Sequence, residues 1–139
     1  MQFELFINFD GNCREAVEFY AKVFKSEVKN LMTYGQSPAD PNYPMAEEDN
    51  DRVCYSDVRI GDKNIMFSDF PSNSQFIAGN NINPTLSMSD KHEVERVFNE
   101  LKYGGEVYME LQQTFFSELY GMLMDKYGVV WMIMYYLPD

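Results

Sequence analysis

Side chains that commonly carry out catalysis are scarce in this chain. It contains one histidine, His92, and two cysteines, Cys13 and Cys54. With one histidine no Ser-His-Asp triad can be argued, and the two cysteines match no metal-binding spacing. We expect His92 to be exposed on a helix, Cys54 to be a small buried residue of a strand, and Cys13 to begin a helix with only Arg14 as a basic neighbour.

The most informative apolar stretch lies near the end of the chain. Residues 125–128 (DKYG) predict a turn, because the glycine can adopt a positive φ and Asp125 can bond its own backbone. Val129–Tyr136 then follows without a polar residue. An unbroken β-branched and aromatic run indicates a strand that is covered on both faces. One face is expected to meet a helix, and the other is where we expect a site.

Alternation and capping signals predict the remaining elements. Gln2–Phe9 alternates as a strand, and Asn12 followed by Glu15 predicts a capped helix that runs to about Phe24. Asp90 with Glu93 repeats that signal, and the second helix ends at residues 104–105, both glycine. Further strands are expected at Val28–Tyr34, Arg52–Ile60, Lys63–Ser68, Thr85–Met88, Glu106–Leu111, Glu118–Asp125 and Val129–Tyr136. Loops are expected at Gly35–Asp51 and Pro71–Asn80.

The predicted order of elements repeats itself. Each half reads strand, helix, strand, strand, strand, and a repeat of this length indicates two structural copies that share a core. We therefore predict an α+β fold of two βαβββ modules, residues 1–80 and 81–139, within one domain. The two modules are expected to form a curved, mixed, eight-stranded sheet shaped as a cup, with the helices outside.

Composition restricts the partners. Eleven basic and twenty-two acidic residues give a net charge of −11, which repels phosphate backbones and anionic lipids. We therefore expect no nucleic-acid and no membrane partner. No apolar run approaches the roughly 20 residues that span a bilayer, no signal peptide is visible, and the cysteine usage fits a reducing cytoplasm.

The sequence resembles one family nearly from end to end. The segments that carry the resemblance are FDGNCREAVEFYAKVF (9–24), VRIGDKNIMFSD (58–69), PTLSMSD (84–90) and QQTFFSELYGMLMDKYGVVWMI (112–133). They resemble the PhnB-like branch of the glyoxalase/bleomycin-resistance/dioxygenase (vicinal oxygen chelate) superfamily, a branch also labelled 3-demethylubiquinone-9 3-methyltransferase-like. The resemblance implies a homodimer. The chain has no glycine-rich loop of the kind that would bind S-adenosylmethionine.

The resemblance also implies a position for a divalent metal, held by inward residues on the first and last strand of each module. Carried onto this sequence, those positions are Glu4, Ile65 or Met66, Asn83 and Met132. One carboxylate does not make a site for a hard cation, and thioethers do not hold Zn²⁺, Ni²⁺ or Fe²⁺ usefully. We therefore predict no catalytic metal and no cofactor. Glu4, if it lies in an apolar cup, is a candidate general base or ligand anchor, and the alternative is a solvated carboxylate at the edge.

The inward positions that follow from the resemblance form a wall that is apolar apart from a few hydroxyl and amide groups. Its expected members are Glu4, Phe6, Asn8, Asn83, Thr85, Ser87, Val130, Met132, Met134 and Tyr136. This composition is typical of a small-molecule pocket, and a collapsed, solid core is the alternative. Phe115 and Phe116 are expected either to gate such a pocket or to pack against a partner chain.

Three functions remain open at this point. The first is a metal-free module that binds a small, partly aromatic or apolar ligand. The second is a superfamily enzyme, a lyase, isomerase or dioxygenase, that acts with a divalent metal or through Glu4. The third is a protein whose cup is filled and whose surfaces serve assembly.

Overall fold

The computed structural model describes residues 1–138, and it divides into two compact units. The first is Met1–Phe76, and the second begins at Ile77. The chain is α+β, and the two βαβββ modules predicted from the sequence are confirmed. The strands form two hydrogen-bonded sheets of four strands each, where the prediction had counted one sheet of eight. None of the described helices has the length and apolar character needed to cross a membrane.

The first unit contains one helix and four strands. Its elements are β1 (Phe6–Phe9), α1 (Cys13–Val23), β2 (Val28–Thr33), β3 (Val53–Ile60) and β4 (Lys63–Asp69). The strand order is β1-β4-β3-β2, with β1 parallel to β4 and the other neighbours antiparallel. β1 begins at Phe6 rather than at Gln2, because only residues 6–9 pair in register with β4. Two short 3₁₀ turns, Tyr34–Gln36 and Glu47–Asp49, interrupt the loop between β2 and β3.

The second unit repeats this topology. Its elements are β5 (Thr85–Met88), α2 (Lys91–Leu101), β6 (Glu106–Gln112), β7 (Tyr120–Met124) and β8 (Val130–Tyr135). The strand order is β5-β8-β7-β6, and β5 runs parallel to β8. The uninterrupted apolar run identified in the sequence is therefore a central strand, as its composition indicates.

Aromatic rings fill the layer between α1 and the first sheet. Tyr20 on the helix stacks on Phe67 of β4 with ring centroids 5.5 Å apart, and Phe67 stacks on Phe9 of β1 at 6.2 Å. All three side chains are buried. Because successive side chains of a strand point to opposite faces, Phe6 and Asn8 of β1 lie on the face turned away from α1.

A glycine allows α2 to approach the second sheet closely. A Cβ added at Gly121 of β7 would lie only 2.6 Å from the Phe98 ring of α2. The register places Leu123, Trp131 and Ile133 on the same face of the sheet as Gly121, and all three side chains are buried, as is Phe98. The other face of β8 carries Met132 and Met134.

The beginnings of the two helices are held differently. At α2 the predicted cap is confirmed, because the Asp90 carboxylate accepts the backbone N–H of His92 at 2.9 Å. At α1 the predicted N-cap position is confirmed at Asn12, but the predicted capping bond is wrong, because the Asn12 side chain makes none. The Asp69 carboxylate from the end of β4 takes over, with its Oδ1 accepting the N–H groups of Gly11 and Cys13, each at 2.9 Å.

Asp69 provides the first test. Its second oxygen accepts the N–H of Val53 at 2.9 Å, so Asp69→Ala would leave three backbone donors without their acceptor. We expect this change to lower the free energy of unfolding by about 3 kcal/mol, as for removal of a charged partner from buried donors. Urea unfolding followed by circular dichroism measures it.

The matched control for this test is Asp10→Ala. Asp10 is exposed and pairs with Arg52 at 3.0 Å, so its removal is expected to cost under about 1 kcal/mol. Equal losses in the two variants would contradict the anchoring role of Asp69.

Candidate functional site

The carboxylate expected to lie in the cup is exposed. Glu4 precedes β1, and its Oε1 accepts a hydrogen bond from the side-chain amide of Gln2 at 2.9 Å. Water therefore reaches this carboxylate, and it is not shielded from water as a general base in an apolar pocket would be.

The other positions expected to bind a metal carry neither His nor a carboxylate. Met66 is paired with Phe6, and Met132 with Thr85. The Asn83 amide nitrogen donates to the backbone oxygens of Asn80 at 3.1 Å and of Val130 at 3.5 Å. Within residues 1–138 no group of three or more His, Cys, Asp and Glu side chains is arranged to hold a metal ion. The residues present do not fit the divalent cation that the resemblance implies.

Methionines dominate the face of the second sheet that is turned away from α2. Register places Thr85, Met132, Met122 and Met109 side by side across all four strands. Met134 lies two residues after Met132 on β8, and both side chains are half-buried. Thr85 and Ser87 on the neighbouring strand β5 are exposed, whereas Val130 on β8 is buried. The face is thus apolar, partly accessible and edged by two hydroxyl groups.

Three methionines of this face were not identified as site residues from the sequence. They are Met109, Met122 and Met124. The alternation in residues 120–124 (YGMLM) holds a signal for two of them, because Met122 and Met124 share a face of β7. Met109 required the register, since a bulge at Tyr108 shifts its pairing onto Met122.

The open face of the first sheet is more polar. Asn8 accepts a hydrogen bond from the Ser68 hydroxyl at 2.5 Å. Phe6, with 43% of its surface exposed, meets the ring of Tyr55 edge to face at a centroid distance of 6.3 Å and an interplanar angle of 66°. Of these residues, Tyr55 and Ser68 were missed in the sequence reading.

A buried carboxylate lies behind Tyr55. Asp57 is only 3% exposed, and its Oδ2 accepts the side-chain amide of Asn30 at 2.8 Å. Asn30 lies in a bulge of β2 with φ of +56°, a conformation that asparagine tolerates better than most residues. Burial raises the pKa of Tyr55, and the charge of Asp57 raises that pKa further. Asp57 and Asn30 were also missed, because no local pattern marks a bulge.

The candidate nucleophiles lie outside these faces. His92 is exposed on α2, as expected. Cys54 is half-buried and donates to the Thr33 carbonyl oxygen at 3.5 Å. Cys13 is fully buried, with its sulfur 3.8 Å from the Ser56 hydroxyl, and burial raises the pKa of this thiol to about 12.

Several aromatic side chains are open to solvent. Phe115 is fully exposed and meets Phe116 edge to face at 5.1 Å, and Phe116 meets Tyr120 at 5.0 Å. Tyr136, expected to line the pocket, is 52% exposed just beyond β8.

Known proteins resemble this chain over most of its length. A family model described as 3-demethylubiquinone-9 3-methyltransferase matches residues 2–134. Protein YjdN from Escherichia coli (strain K12) is 30% identical over 135 residues, which cover 92% of this chain and 90% of YjdN. The crystal structure of protein PA1353 from Pseudomonas aeruginosa has a TM-score of 0.87 and 30% identity, with 97% of each chain covered. A PhnB protein from Bacillus cereus has a TM-score of 0.80 and 26% identity, over 98% of this chain and 100% of that one.

The fold also occurs in a more distant structure. The glyoxylase/bleomycin resistance protein/dioxygenase domain from Frankia sp. EAN1pec has a TM-score of 0.67 with 9% identity, over 97% of this chain and 96% of that one. At that identity the likeness concerns the fold alone.

The two cysteines provide a test of the burial described above. At pH 8 a thiol with a pKa of about 12 is ionised in roughly one molecule in ten thousand, so Cys13 is expected to resist thiol reagents. Half-buried Cys54 is expected to be labelled on the order of 100-fold faster. Mass spectrometry after timed labelling measures both, with urea-unfolded protein as the control in which the two rates converge. Faster labelling of Cys13 in the folded protein would contradict its placement.

The raised pKa of Cys13 also has a consequence for stability. The unfolded chain loses this proton near pH 9, whereas the folded chain keeps it to about pH 12. The stability contributed by the neutral thiol is therefore complete below about pH 9 and is lost as the pH rises towards 12.

Proposed function

We propose that this chain is a small-molecule-binding protein that uses no catalytic metal. The premise is its family: the chain belongs to the family described as 3-demethylubiquinone-9 3-methyltransferase, which is the PhnB-like branch of the glyoxalase/bleomycin-resistance/dioxygenase (vicinal oxygen chelate) superfamily. The proposed ligand is small and partly apolar or aromatic. The proposal assigns a cytoplasmic location, since Cys13 and Cys54 both carry free thiols.

The methionine-rich face of the second sheet is the observation that carries this proposal. Five of the ten methionines lie there, at positions 109, 122, 124, 132 and 134. Methionine side chains are unbranched and polarisable, so they adapt to ligands of different shape and make favourable contacts with aromatic rings. The exposed hydroxyls of Thr85 and Ser87 supply the few polar contacts that orient a ligand on an apolar surface.

The enzyme alternative has less support. The expected ligand positions offer one carboxylate, an amide and thioethers, which do not suit a divalent cation. A metal-free reaction through Glu4 would need a carboxylate shielded from water, and this one is exposed. We therefore do not carry the methyl transfer in the family's description over to this chain.

Binding is tested with a neutral fluorescent probe, N-phenyl-1-naphthylamine. We expect its fluorescence to rise with the protein, and a saturating amount at 100 times its Kd to stabilise the fold by about 2.7 kcal/mol. Met132→Gln is expected to weaken the probe about ten-fold, because it places an amide in the apolar row. Fluorescence titration measures the Kd of each variant.

The matched control is Met45→Gln. Met45 is half-buried in the loop before the second 3₁₀ turn, away from the sheet strands. Its replacement is expected to leave the probe's Kd unchanged. If both variants bind as the unaltered protein does, the methionine face is not the binding surface.

A homodimer is the second proposal, and the exposed aromatic pair favours it. Phe115, fully exposed on a chain of net charge −11, is an apolar surface that a second copy can cover. Phe115→Ser combined with Phe116→Ser is expected to convert a dimer into monomers, as measured by analytical ultracentrifugation. Tyr43→Ser, a change at a loop residue that is 75% exposed, serves as the control and is expected to leave the dimer intact. A double variant that sediments as the unaltered protein does would refute this role.

A further inference from the structure

We propose that the protein binds a small molecule with a protonated amine at the aromatic pair Phe6 and Tyr55, backed by the carboxylate of Asp57. This inference goes beyond the proposed function, because it names a separate binding site and the chemical class of its ligand. The site it concerns lies on the open face of the first sheet.

The two rings form an aromatic corner. Phe6 and Tyr55 stand at 66° to each other with centroids 6.3 Å apart, and Phe6 remains 43% exposed. The faces of aromatic rings carry negative potential, so a cation held against two such rings gains from both. Met66 pairs in register with Phe6 on one side and with Asp57 on the other, so an apolar residue separates Phe6 from Asp57 on this face.

The carboxylate of Asp57 supplies the charge that distinguishes a cation from a neutral ligand. Its hydrogen-bond partner is the side-chain amide of Asn30, which is uncharged. Within the described residues no Lys or Arg nitrogen lies within 4.0 Å of it, although Lys29 is its neighbour in register. Because no cationic side chain pairs with this buried carboxylate, its negative charge attracts a cationic ligand that binds next to it.

Tyr55 lies next to Asp57 on the open face, because the two residues are two positions apart on β3. The negative charge of Asp57 raises the pKa of the Tyr55 phenol, so its field reaches the ring that a cation would contact. Glu4 lies close enough for its charge also to raise the pKa of Tyr55, so a second carboxylate favours the same sign of ligand. An anionic ligand would be repelled by both carboxylates and by the net charge of −11.

Asn30 holds this arrangement in place. Its left-handed backbone, at φ of +56°, directs the side-chain amide onto Asp57 from the bulge of β2. Such backbone conformations persist where the surrounding structure stabilises them, and they are frequent at binding sites. Asn30 is therefore a positioning residue for the Asp57–Tyr55 pair.

The test compares two probes of similar shape, benzylamine, which is protonated at pH 7, and neutral benzyl alcohol. We expect benzylamine to bind at least ten-fold more tightly, with chemical-shift changes at Phe6 and Tyr55 in NMR titrations. Asp57→Asn is expected to reduce this preference to less than two-fold. Asp62→Asn removes the same charge from an exposed turn and is expected to leave the preference unchanged.

Variants at the rings keep the test decisive if Asp57→Asn fails to fold. Phe6→Ala removes one ring from a partly exposed position and is expected to weaken benzylamine about five-fold, whereas Phe3→Ala, at a residue 89% exposed, is expected to have no effect. Asn30→Gly keeps the left-handed backbone accessible but removes the amide, and is expected to lower the preference for benzylamine by half or more.

Two outcomes overturn the inference. One is equal binding of benzylamine and benzyl alcohol, and the other is an equal loss in Asp57→Asn and Asp62→Asn, which would indicate only the overall charge. If N-phenyl-1-naphthylamine still binds in either case, the proposed binding function stands and only the amine site is refuted. If neither benzylamine nor the naphthylamine binds, both proposals fail.

Discussion

The carboxylate of Asp69 is almost completely buried. The arrangement of the segments of the first unit depends on the hydrogen bonds that this carboxylate accepts. Moving an isolated carboxylate out of water costs several kcal/mol unless hydrogen bonds replace the lost hydration. Here three backbone N–H groups, those of Gly11, Cys13 and Val53, point at its two oxygens. Because these donors belong to the turn before α1, the start of α1 and the start of β3, one side chain fixes three segments. The Tyr34 hydroxyl adds a bond to the Asp69 backbone oxygen at 2.7 Å.

The second unit solves a related problem with a different residue. The Asp125 carboxylate accepts the N–H groups of Tyr127 and Val129 and the indole N–H of Trp131, the last at 2.8 Å. It thereby closes the turn before β8 and fixes the largest buried side chain against the helix side of the sheet. In both units these bonds concern the turn regions and the helix-facing layer, which leaves the opposite faces free to differ. One has become rich in methionine, and the other presents an aromatic pair and a buried carboxylate.

Much of this could be predicted from the sequence, because the strongest signals are local. The helical stripes, the Asp90 cap and the βαβββ order follow from patterns within short windows. The Asp69 cap could not be predicted, since its partner at Gly11 lies 58 residues away and only the folded sheet brings them together. The Tyr55–Asp57–Asn30 group was missed for the same reason, because it depends on a bulge that shifts the register of β2 against β3.

The candidate site shows why the fold alone does not determine the chemistry. A scaffold of this topology can present a metal only if its inward positions carry electron-pair donors. In this chain the paired positions Phe6 with Met66 and Thr85 with Met132 carry an aromatic ring, thioethers and one hydroxyl. Thioethers and rings are poor ligands for hard cations, but they are good contacts for apolar and aromatic groups. These side chains therefore suit the organic ligands proposed above better than they suit a metal ion. In the proposed amine site the carboxylate of Asp57 would supply negative potential and would not be a ligand to a metal.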